Sequence, residues 1–293
     1  MPLDPKHFKK LSSKEGGKIV FLVIDGLGGL PDASGETPLE AADTPHLDEL
    51  AKGGICGLHE PVGPGITPGS GPGHLGLFGY DPLEYDVGRG VLSALGVGYP
   101  LSDGELAARG NFCTLADDGT VTDRRAGRIS TEKCHKLCDK LNQLELENVD
   151  FEVKPVKEHR FLLVLKDVET VVALNDTDPH ETGRPPQSVE PDGDIDEGGR
   201  ATVEAVEALI EKAEECLRDE SEANGILLRG FDALPKIPQL PEITRMRCKA
   251  IAAYPMYRGV SRLLGMDVLE AKDNLDDELA HLRSAWDAGD FFF

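Results

Sequence analysis

Residues 18–26 read Lys-Ile-Val-Phe-Leu-Val-Ile-Asp-Gly, so six apolar side chains lead directly to the carboxylate of Asp25. An uninterrupted apolar run is typical of a strand buried on both faces, in a sheet flanked by helices. Ligands of open α/β sheets gather beyond the carboxyl ends of the strands. The stretch therefore predicts an α/β fold, and it places Asp25 where a site would be built.

A second stretch carries a candidate nucleophile. Residues 63–75 read Gly-Pro-Gly-Ile-Thr-Pro-Gly-Ser-Gly-Pro-Gly-His-Leu, with Ser70 between two glycines. Glycine allows the backbone to approach a ligand closely and to adopt positive φ. An acid at a strand end and an exposed serine together suggest a metal ligand and a nucleophile. On loop composition alone, a turn serine is the simpler interpretation.

The composition limits the class of protein. A chain of 293 residues exceeds the usual size of a single core and favours two domains. Its 31 basic and 53 acidic residues give a net charge of −22, which argues against nucleic acid and anionic membranes as partners. No apolar run approaches the roughly 20 residues of a membrane span, and the polar N-terminus does not read as a signal peptide. Six cysteines without a CxxC framework fit reduced thiols in a cytoplasmic protein.

The pattern of elements changes near residue 100. Helices are predicted over 44–53, 197–217, 257–265 and 275–286, and strands over 54–59, 106–115, 120–129, 160–166, 169–175 and 226–228. Short strands alternating with long helices suggest an α+β domain inserted into the first one. We assign residues 1–17 to a polar N-terminal extension, 18–102 and 248–293 to the first domain, and 103–247 to the insertion.

The last three residues, Phe291 to Phe293, form an apolar run that predicts an interior strand. We expect this strand to leave apolar side chains and an unpaired sheet edge exposed, which favours aggregation or pairing with another chain. Homo-oligomerisation and a complementing C-terminal chain are both consistent with that expectation.

Several motifs, in order along the chain, resemble one family. The strand end at Asp25, the Ser70 loop and the Phe-Gly-Tyr-Asp-Pro segment 78–82 are similar to the archaeal type of cofactor-independent phosphoglycerate mutase, of the alkaline phosphatase superfamily. Further matches are Ala-Arg-Gly-Asn-Phe at 108–112, Asp-Arg-Arg-Ala-Gly-Arg at 123–128, Asn-Asp-Thr-Asp-Pro-His at 175–180, Leu-Arg-Gly at 228–230 and residues 249–262.

The resemblance implies an alkaline-phosphatase-like, mostly parallel sheet flanked by helices and interrupted by an inserted α+β substrate domain. It implies interconversion of 3-phosphoglycerate and 2-phosphoglycerate through a phosphoserine on Ser70. Two divalent ions would assist, Mn²⁺ first and Mg²⁺ or Zn²⁺ as alternatives, without 2,3-bisphosphoglycerate.

The family's Lys-Thr-Asp and Gly-Asp-His motifs, which supply most of its metal ligands, do not occur in this sequence. The alternatives are therefore a phosphatase or other phosphoryl-transfer member of the superfamily, or a truncated or split chain that only binds phosphoglycerate. For residues 1–293 we expect weak metal binding and no measurable mutase activity.

The resemblance also assigns residues. Asp25 and Ser70 would bind metal, and Ser70 would be catalytic. The predicted substrate-binding residues are Arg109, Asp123, Arg124, Arg125, Arg128, Asp178, His180, Arg229 and Arg258. Guanidinium groups bind carboxylate and phosphate with two hydrogen bonds, which suits a phosphorylated glycerate, although a solvated charged surface is the alternative for residues 123–128. His180 would orient a hydroxyl or relay a proton, or would be a loop histidine without such a role.

Overall fold

The structure is a computed structural model that describes residues 5–13, 16–66, 68–147, 149–168 and 170–293. Residues 1–4 and 14–15 of the predicted extension, Thr67 of the glycine-rich loop and Glu169 of the predicted strand 169–175 lie outside the described residues.

The described elements alternate between helices and strands along most of the chain. The helices are α1 (Pro5–Leu11), α2 (Pro38–Ala41), α3 (Pro45–Gly53), α4 (Ser70–Leu77), α5 (Arg89–Gly96), α6 (Thr131–Leu141), α7 (Glu197–Leu217), α8 (Leu240–Thr244), α9 (Pro255–Leu263) and α10 (Leu275–Ala285). The strands are β1 (Ile19–Val20), β2 (Leu106–Leu115), β3 (Val121–Asp123), β4 (Asp150–Lys157), β5 (Arg160–Lys166), β6 (Gly225–Asp232), β7 (Cys248–Ala252), β8 (Asp267–Glu270) and β9 (Phe291–Phe292).

A parallel sheet has the strand order β1-β9-β7-β8, and each neighbouring pair is parallel. The sheet and its helices confirm the predicted mixed α/β class. The last residues form an interior strand as predicted, but the expectation of exposed apolar side chains and an unpaired edge at this strand was wrong, because Phe291 and Phe292 are buried and β9 is not an edge strand of the described sheet. They are buried because β9 pairs with β1 on one side and with β7 on the other.

The prediction of a long, doubly buried first strand was wrong. Strand β1 has two residues, and the following Leu22, Val23 and Ile24 are exposed. Within the described sheet β1 is an edge strand that pairs only with β9, so its apolar side chains lack a second neighbour. Segment 54–59 was likewise predicted as a strand, but it forms none and its apolar side chains are exposed, since no described strand pairs with it.

The strands from β2 to β6 form a second, antiparallel sheet. Its main path is β3-β2-β5-β4, and β6 pairs with the other side of β2. The predicted strands 106–115 and 160–166 are confirmed as β2 and β5. The predicted strand 120–129 stops at Asp123, because Ala126, Gly127 and Arg128 all have positive φ, which a strand does not allow. Of the predicted strand 169–175, the described residues 170–175 form a single bridge, from Leu174 to Pro191.

Strand β5 shows where the core lies. Phe161, Leu163 and Leu165 pack in the cluster that contains α6 and α7. The alternate side chains Leu162 and Val164 pack with α5, α9 and the parallel-sheet residues. Successive side chains of a strand point to opposite faces, so the antiparallel sheet is buried on both of its faces.

Helix α5 packs between the antiparallel sheet and helix α9. A Cβ on Gly90 would come within 2.1 Å of the Ala107 carbonyl oxygen in β2, and one on Gly259 within 2.0 Å of the Leu92 carbonyl oxygen. Glycine is needed at both positions because the backbones approach so closely. In the described part of the chain, no helix is both long and apolar enough to cross a membrane. The domain boundaries at 102/103 and 247/248 stay predictions.

Candidate phosphoryl-transfer site

Ser70 is the first residue of α4 and is exposed at the helix N-terminus. Glycines allow the helix to sit close to its neighbours, since a Cβ on Gly76 would meet the Pro61 carbonyl oxygen at 1.9 Å. One on Gly71 would meet Leu92 Cδ1 at 2.7 Å. The first amides of a helix lack intrahelical acceptors, and the helix dipole favours negative charge there. The loop therefore presents the Ser70 hydroxyl where an anionic group is favoured.

Ser70 faces a cavity of about 530 Å³. Its wall combines the N-termini of α4 and α5 with residues of the antiparallel sheet and its loops. The polar side chains in that wall belong to Ser70, Asp86, Arg89, Arg109, Asp176, Asp232 and Tyr254. Of the predicted site residues in the described chain, Ser70 and Arg109 line this cavity, together with the loop residue Asp176.

Arg109 is the central cation of this wall. It lies in the middle of β2, and its Nε is buried without a hydrogen-bond partner in the described structure. Burial, and then the neighbouring cations Arg89, Arg229 and Arg160, lower the pKa of Arg109 to about 10. The guanidinium remains charged at neutral pH, in a position where it repels the cations around it.

A hydrogen-bonded cluster lies behind the cavity wall. Arg124 donates to both carboxylate oxygens of Asp178, from Nε at 2.6 Å and from Nη2 at 2.8 Å. Arg229 donates to Asp176 from Nε at 3.1 Å, and its Nη1 lies 3.5 Å from Asp178. Asp178 is fully buried. Burial raises the pKa of Asp178, but the bonds from Arg124 and the His180 amide outweigh it, so the pKa lies below its ordinary value.

His180 joins the same cluster. Its Nδ1 lies 3.3 Å from Nη2 of Arg229, and its Nε2 lies 3.5 Å from Asp176. Because a guanidinium can only donate, Nδ1 accepts and the proton belongs on Nε2, toward the carboxylate. The structure thus brings together four predicted residues, namely Arg124, Asp178, His180 and Arg229.

The other predicted residues of the 123–128 motif do not line the Ser70 cavity in the described structure. Asp123 accepts from the backbone amides of Arg125 at 2.7 Å and Gly127 at 2.8 Å, so it stabilises the turn after β3. Arg125 is exposed. Arg128 is also exposed, with Nη1 3.5 Å from Glu158. The geometry gives Asp123 a structural contact and gives Arg128 a weak surface ion pair.

Arg258 also lies away from the cavity wall. Its guanidinium donates to the carbonyl oxygens of Ala252 at 2.9 Å and Ala253 at 2.5 Å, and Nη1 lies 3.2 Å from Glu270. These bonds hold the carboxyl end of β7 against α9. The contacts support a role in packing.

Asp25 lies in the exposed segment after β1, where its carboxylate accepts a hydrogen bond from the Tyr257 hydroxyl. The Tyr257 ring packs on His74, with ring centroids 4.6 Å apart. His74 Nδ1 in turn lies 2.6 Å from the Ser70 carbonyl oxygen. A chain of contacts therefore connects Asp25 to the first turn of α4.

The metal prediction can be compared with the donors present. The described residues contain no group of three or more His, Cys, Asp or Glu side chains placed to hold a metal ion. A divalent ion is held by several ligands, and Asp25 with Ser70 supplies only one carboxylate and one hydroxyl. These two side chains do not by themselves fit a two-ion site.

Arg89 and Asp232 are among the cavity residues that were not anticipated from the sequence. Arg89 begins α5, and Asp232 ends β6. A signal for Arg89 was present, since Gly-Arg-Gly at 88–90 places one cation between two residues that permit close approach. Asp232 gave no comparable signal, because one acid among 53 acidic residues is not conspicuous.

A serine at a helix N-terminus and guanidinium groups in one cavity define a site suited to phosphoryl transfer. Comparison with known proteins gives the family. Residues 51–223 match the family model described as 2,3-bisphosphoglycerate-independent phosphoglycerate mutase. The chain belongs to this family of isomerases.

The relatives agree with that assignment. A protein of Aquifex aeolicus named "Probable 2,3-bisphosphoglycerate-independent phosphoglycerate mutase" is 46% identical over 294 residues, which cover 97% of this chain and 72% of the relative. A protein of the same name from Thermus thermophilus is 45% identical over 291 residues, covering 97% and 71%. The solved cofactor-independent phosphoglycerate mutase of Thermoplasma acidophilum is 34% identical, with a TM-score of 0.62 over 94% of this chain and 76% of that one.

Proposed function

We propose that this chain interconverts 3-phosphoglycerate and 2-phosphoglycerate through a phosphoserine on Ser70. The observation that carries the proposal is the cavity in which the Ser70 hydroxyl and the unpartnered Arg109 guanidinium share one wall. The family membership supplies the reaction class, and the independence of 2,3-bisphosphoglycerate follows from the family description.

The proposed chemistry uses two transfers. The Ser70 oxygen attacks phosphorus and gives up its hydroxyl proton, the bond from phosphorus to the substrate oxygen breaks, and the leaving alkoxide takes up a proton. The glycerate then turns within the cavity, and its other hydroxyl oxygen attacks the phosphoserine and gives up its proton. The bond from phosphorus to the Ser70 oxygen breaks, and Ser70 takes up a proton again. Cationic side chains offset the charge on the transferring group.

The hydrogen-bonded cluster behind the cavity wall orients the polar side chains of the site. Asp176 lines the cavity and accepts from Arg229 Nε and from the Gly230 amide, at 3.1 and 2.7 Å. His180, with its proton on Nε2, is aligned by Arg229 and Asp176. We therefore assign Arg124 and Asp178 to the support of Arg229, which holds the cavity wall.

We further propose that the parallel-sheet part, 18–102 and 248–293, is alkaline-phosphatase-like and that 103–247 is the inserted substrate part. Ser70 comes from the first part, whereas Arg109 and Asp176 come from the second. Closure of the two parts over a bound glycerate would exclude water, which would otherwise hydrolyse the phosphoserine.

The resemblance would place two divalent ions, with Mn²⁺ first, on Asp25 and Ser70. Because these two side chains do not by themselves fit a two-ion site, no step of the proposed chemistry passes through a metal ion. Cytoplasmic location, homo-oligomerisation and a complementing chain stay predictions from the sequence.

The test is conversion of 3-phosphoglycerate by the purified protein in Mn²⁺-containing buffer, followed by ³¹P NMR. The signals of 3-phosphoglycerate, 2-phosphoglycerate and inorganic phosphate are resolved, so isomerisation and hydrolysis are measured together. The proposed activity replaces the sequence-based expectation that residues 1–293 have no measurable mutase activity. We expect 2-phosphoglycerate from the native protein and from the control variant Ser221→Ala, in an exposed bend, and none from Ser70→Ala. Full isomerisation by Ser70→Ala would contradict the proposal, and phosphate release alone would select the phosphatase alternative.

A further inference from the structure

Two guanidinium groups of the Ser70 cavity, those of Arg89 and Arg109, make no hydrogen bond or ion pair within the described structure. This sets them apart from Arg124 and Arg229, which donate to Asp178 and Asp176. Arg109 is the more constrained of the two, because its Nε is buried without an acceptor. A buried donor without a partner costs free energy, and an anion in the cavity would supply the missing acceptor.

The position of Arg89 is fixed by its backbone. The preceding Gly88 amide donates to Asp232 Oδ2 at 2.7 Å. On the opposite strand Gly230 has a φ of 59°, and a Cβ there would lie 2.5 Å from the Arg89 amide nitrogen. The first turn of α5 is therefore held directly against β6, while the Arg89 side chain remains accessible within the cavity.

Two of the three acids in the same wall are engaged elsewhere, and the third, Asp86, forms no ion pair with Arg89 or Arg109 in the described structure. Asp232 accepts from the backbone amides of Gly88 and Ala233, at 2.7 and 2.8 Å. Asp176 accepts from Arg229 and from a backbone amide. Neither acid forms an ion pair with Arg89 or Arg109 in the described structure. Desolvation, followed by repulsion from Arg229, lowers the pKa of Arg89, while the charges of Asp176 and Asp178 act in the opposite direction.

We propose that Arg89 is a phosphate-binding residue of this cavity and that it acts with Arg109 on a single phosphoryl group. The inference rests on the proposed function for the identity of the substrate. Two unpartnered monocations match the charge of about −2 on a phosphate monoester near pH 7 better than the single charge of a carboxylate. Guanidinium forks also fit phosphate oxygens geometrically.

The test measures binding by isothermal titration calorimetry, with inorganic phosphate, 3-phosphoglycerate and glycerate as separate probes. The variants are Arg89→Gln, Arg109→Gln and Arg89→Lys, and circular dichroism checks that each is folded. The matched control is Arg184→Gln, which removes an exposed arginine whose partner is the exposed Glu181. Isomerisation is assayed on the same preparations.

We expect Arg89→Gln to weaken phosphate and 3-phosphoglycerate binding about tenfold or more, because a charge-assisted contact is lost. Arg89→Lys should recover part of this affinity, and Arg184→Gln should change it less than about twofold. Unchanged phosphate affinity in folded Arg89→Gln would overturn the inference. A loss of affinity for glycerate alone would also overturn it, and so would a native protein that does not bind phosphate. The isomerisation assay of native protein decides the proposed function separately, because phosphate binding does not depend on turnover.

Discussion

Arg124 and Asp178 form a two-point ion pair in which Nε and Nη2 of the arginine lie 2.6 and 2.8 Å from the two carboxylate oxygens. The Asp178 side chain is fully buried, whereas that of Arg124 is about one quarter exposed. The sequence indicated a substrate contact for Arg124, but the guanidinium is already occupied by a protein carboxylate. Its contribution is to hold the loop that carries His180.

Replacing Arg124 by alanine should therefore lower stability. The change leaves a buried carboxylate without its main partner, and such a loss costs about 3 kcal/mol or more. Arg128→Gln is the control, because this exposed arginine has only a 3.5 Å contact with Glu158 and should change stability by less than about 1 kcal/mol. Urea unfolding of both variants measures the difference, and equal midpoints would refute the structural role of Arg124.

A second prediction concerns the contact between α5 and β2. Gly90→Ala places a methyl group 2.1 Å from the Ala107 carbonyl oxygen. Alanine favours a helix by about 1 kcal/mol over glycine, but the backbone clash is expected to outweigh this and to destabilise the protein by about 2 kcal/mol. Gly57→Ala, with no atom within 4 Å of the new methyl group, is the control. A Gly90→Ala protein as stable as the native one would show that α5 is free to move away from β2.

A third prediction gives a pH dependence to stability. Burial, and then the neighbouring Arg160, lower the pKa of His159 to about 4. In the unfolded chain its pKa is about 6.5, so between these values the unfolded state binds a proton that the folded state does not. The free energy of unfolding must therefore fall as the pH drops from about 7 toward 4.

His159→Gln should remove that part of the pH dependence. From pH 7 to 4.5, we expect its loss of stability to be smaller than that of the native protein by about 2 kcal/mol. Urea titrations at fixed ionic strength at the two pH values measure both losses. Identical losses in the two proteins would mean that His159 titrates normally in the folded state.

The local parts of the fold could be predicted from the sequence. Strands β2 and β5 carry apolar runs whose alternate residues enter two cores, so their limits were readable. Helix α7 has the apolar stripe and the capping Asp196 expected of an amphipathic helix. The end of the first strand could not be predicted in this way, because the exposure of Leu22 depends on which strands lie beside β1.

The candidate site was predicted less completely, for a physical reason. Sequence motifs identify side chains of suitable chemistry, but not the partners that those side chains meet in the fold. Arg109 and Arg258 were equal predictions, yet Arg109 has a buried Nε without a partner and Arg258 donates to two carbonyl oxygens. The position of Arg89 in the cavity depends on contacts between α5 and β6, which the local sequence pattern does not predict.

The proposed reaction requires that Ser70 carries the phosphoryl group during turnover. Acid quenching of the protein within milliseconds of mixing with 3-phosphoglycerate, followed by peptide mass spectrometry, tests this requirement. We expect a phosphate on Ser70 in the peptide that spans the glycine-rich loop, formed no later than 2-phosphoglycerate and absent from Ser70→Ala. Formation of 2-phosphoglycerate with no phosphate on Ser70 at any quench time would contradict it.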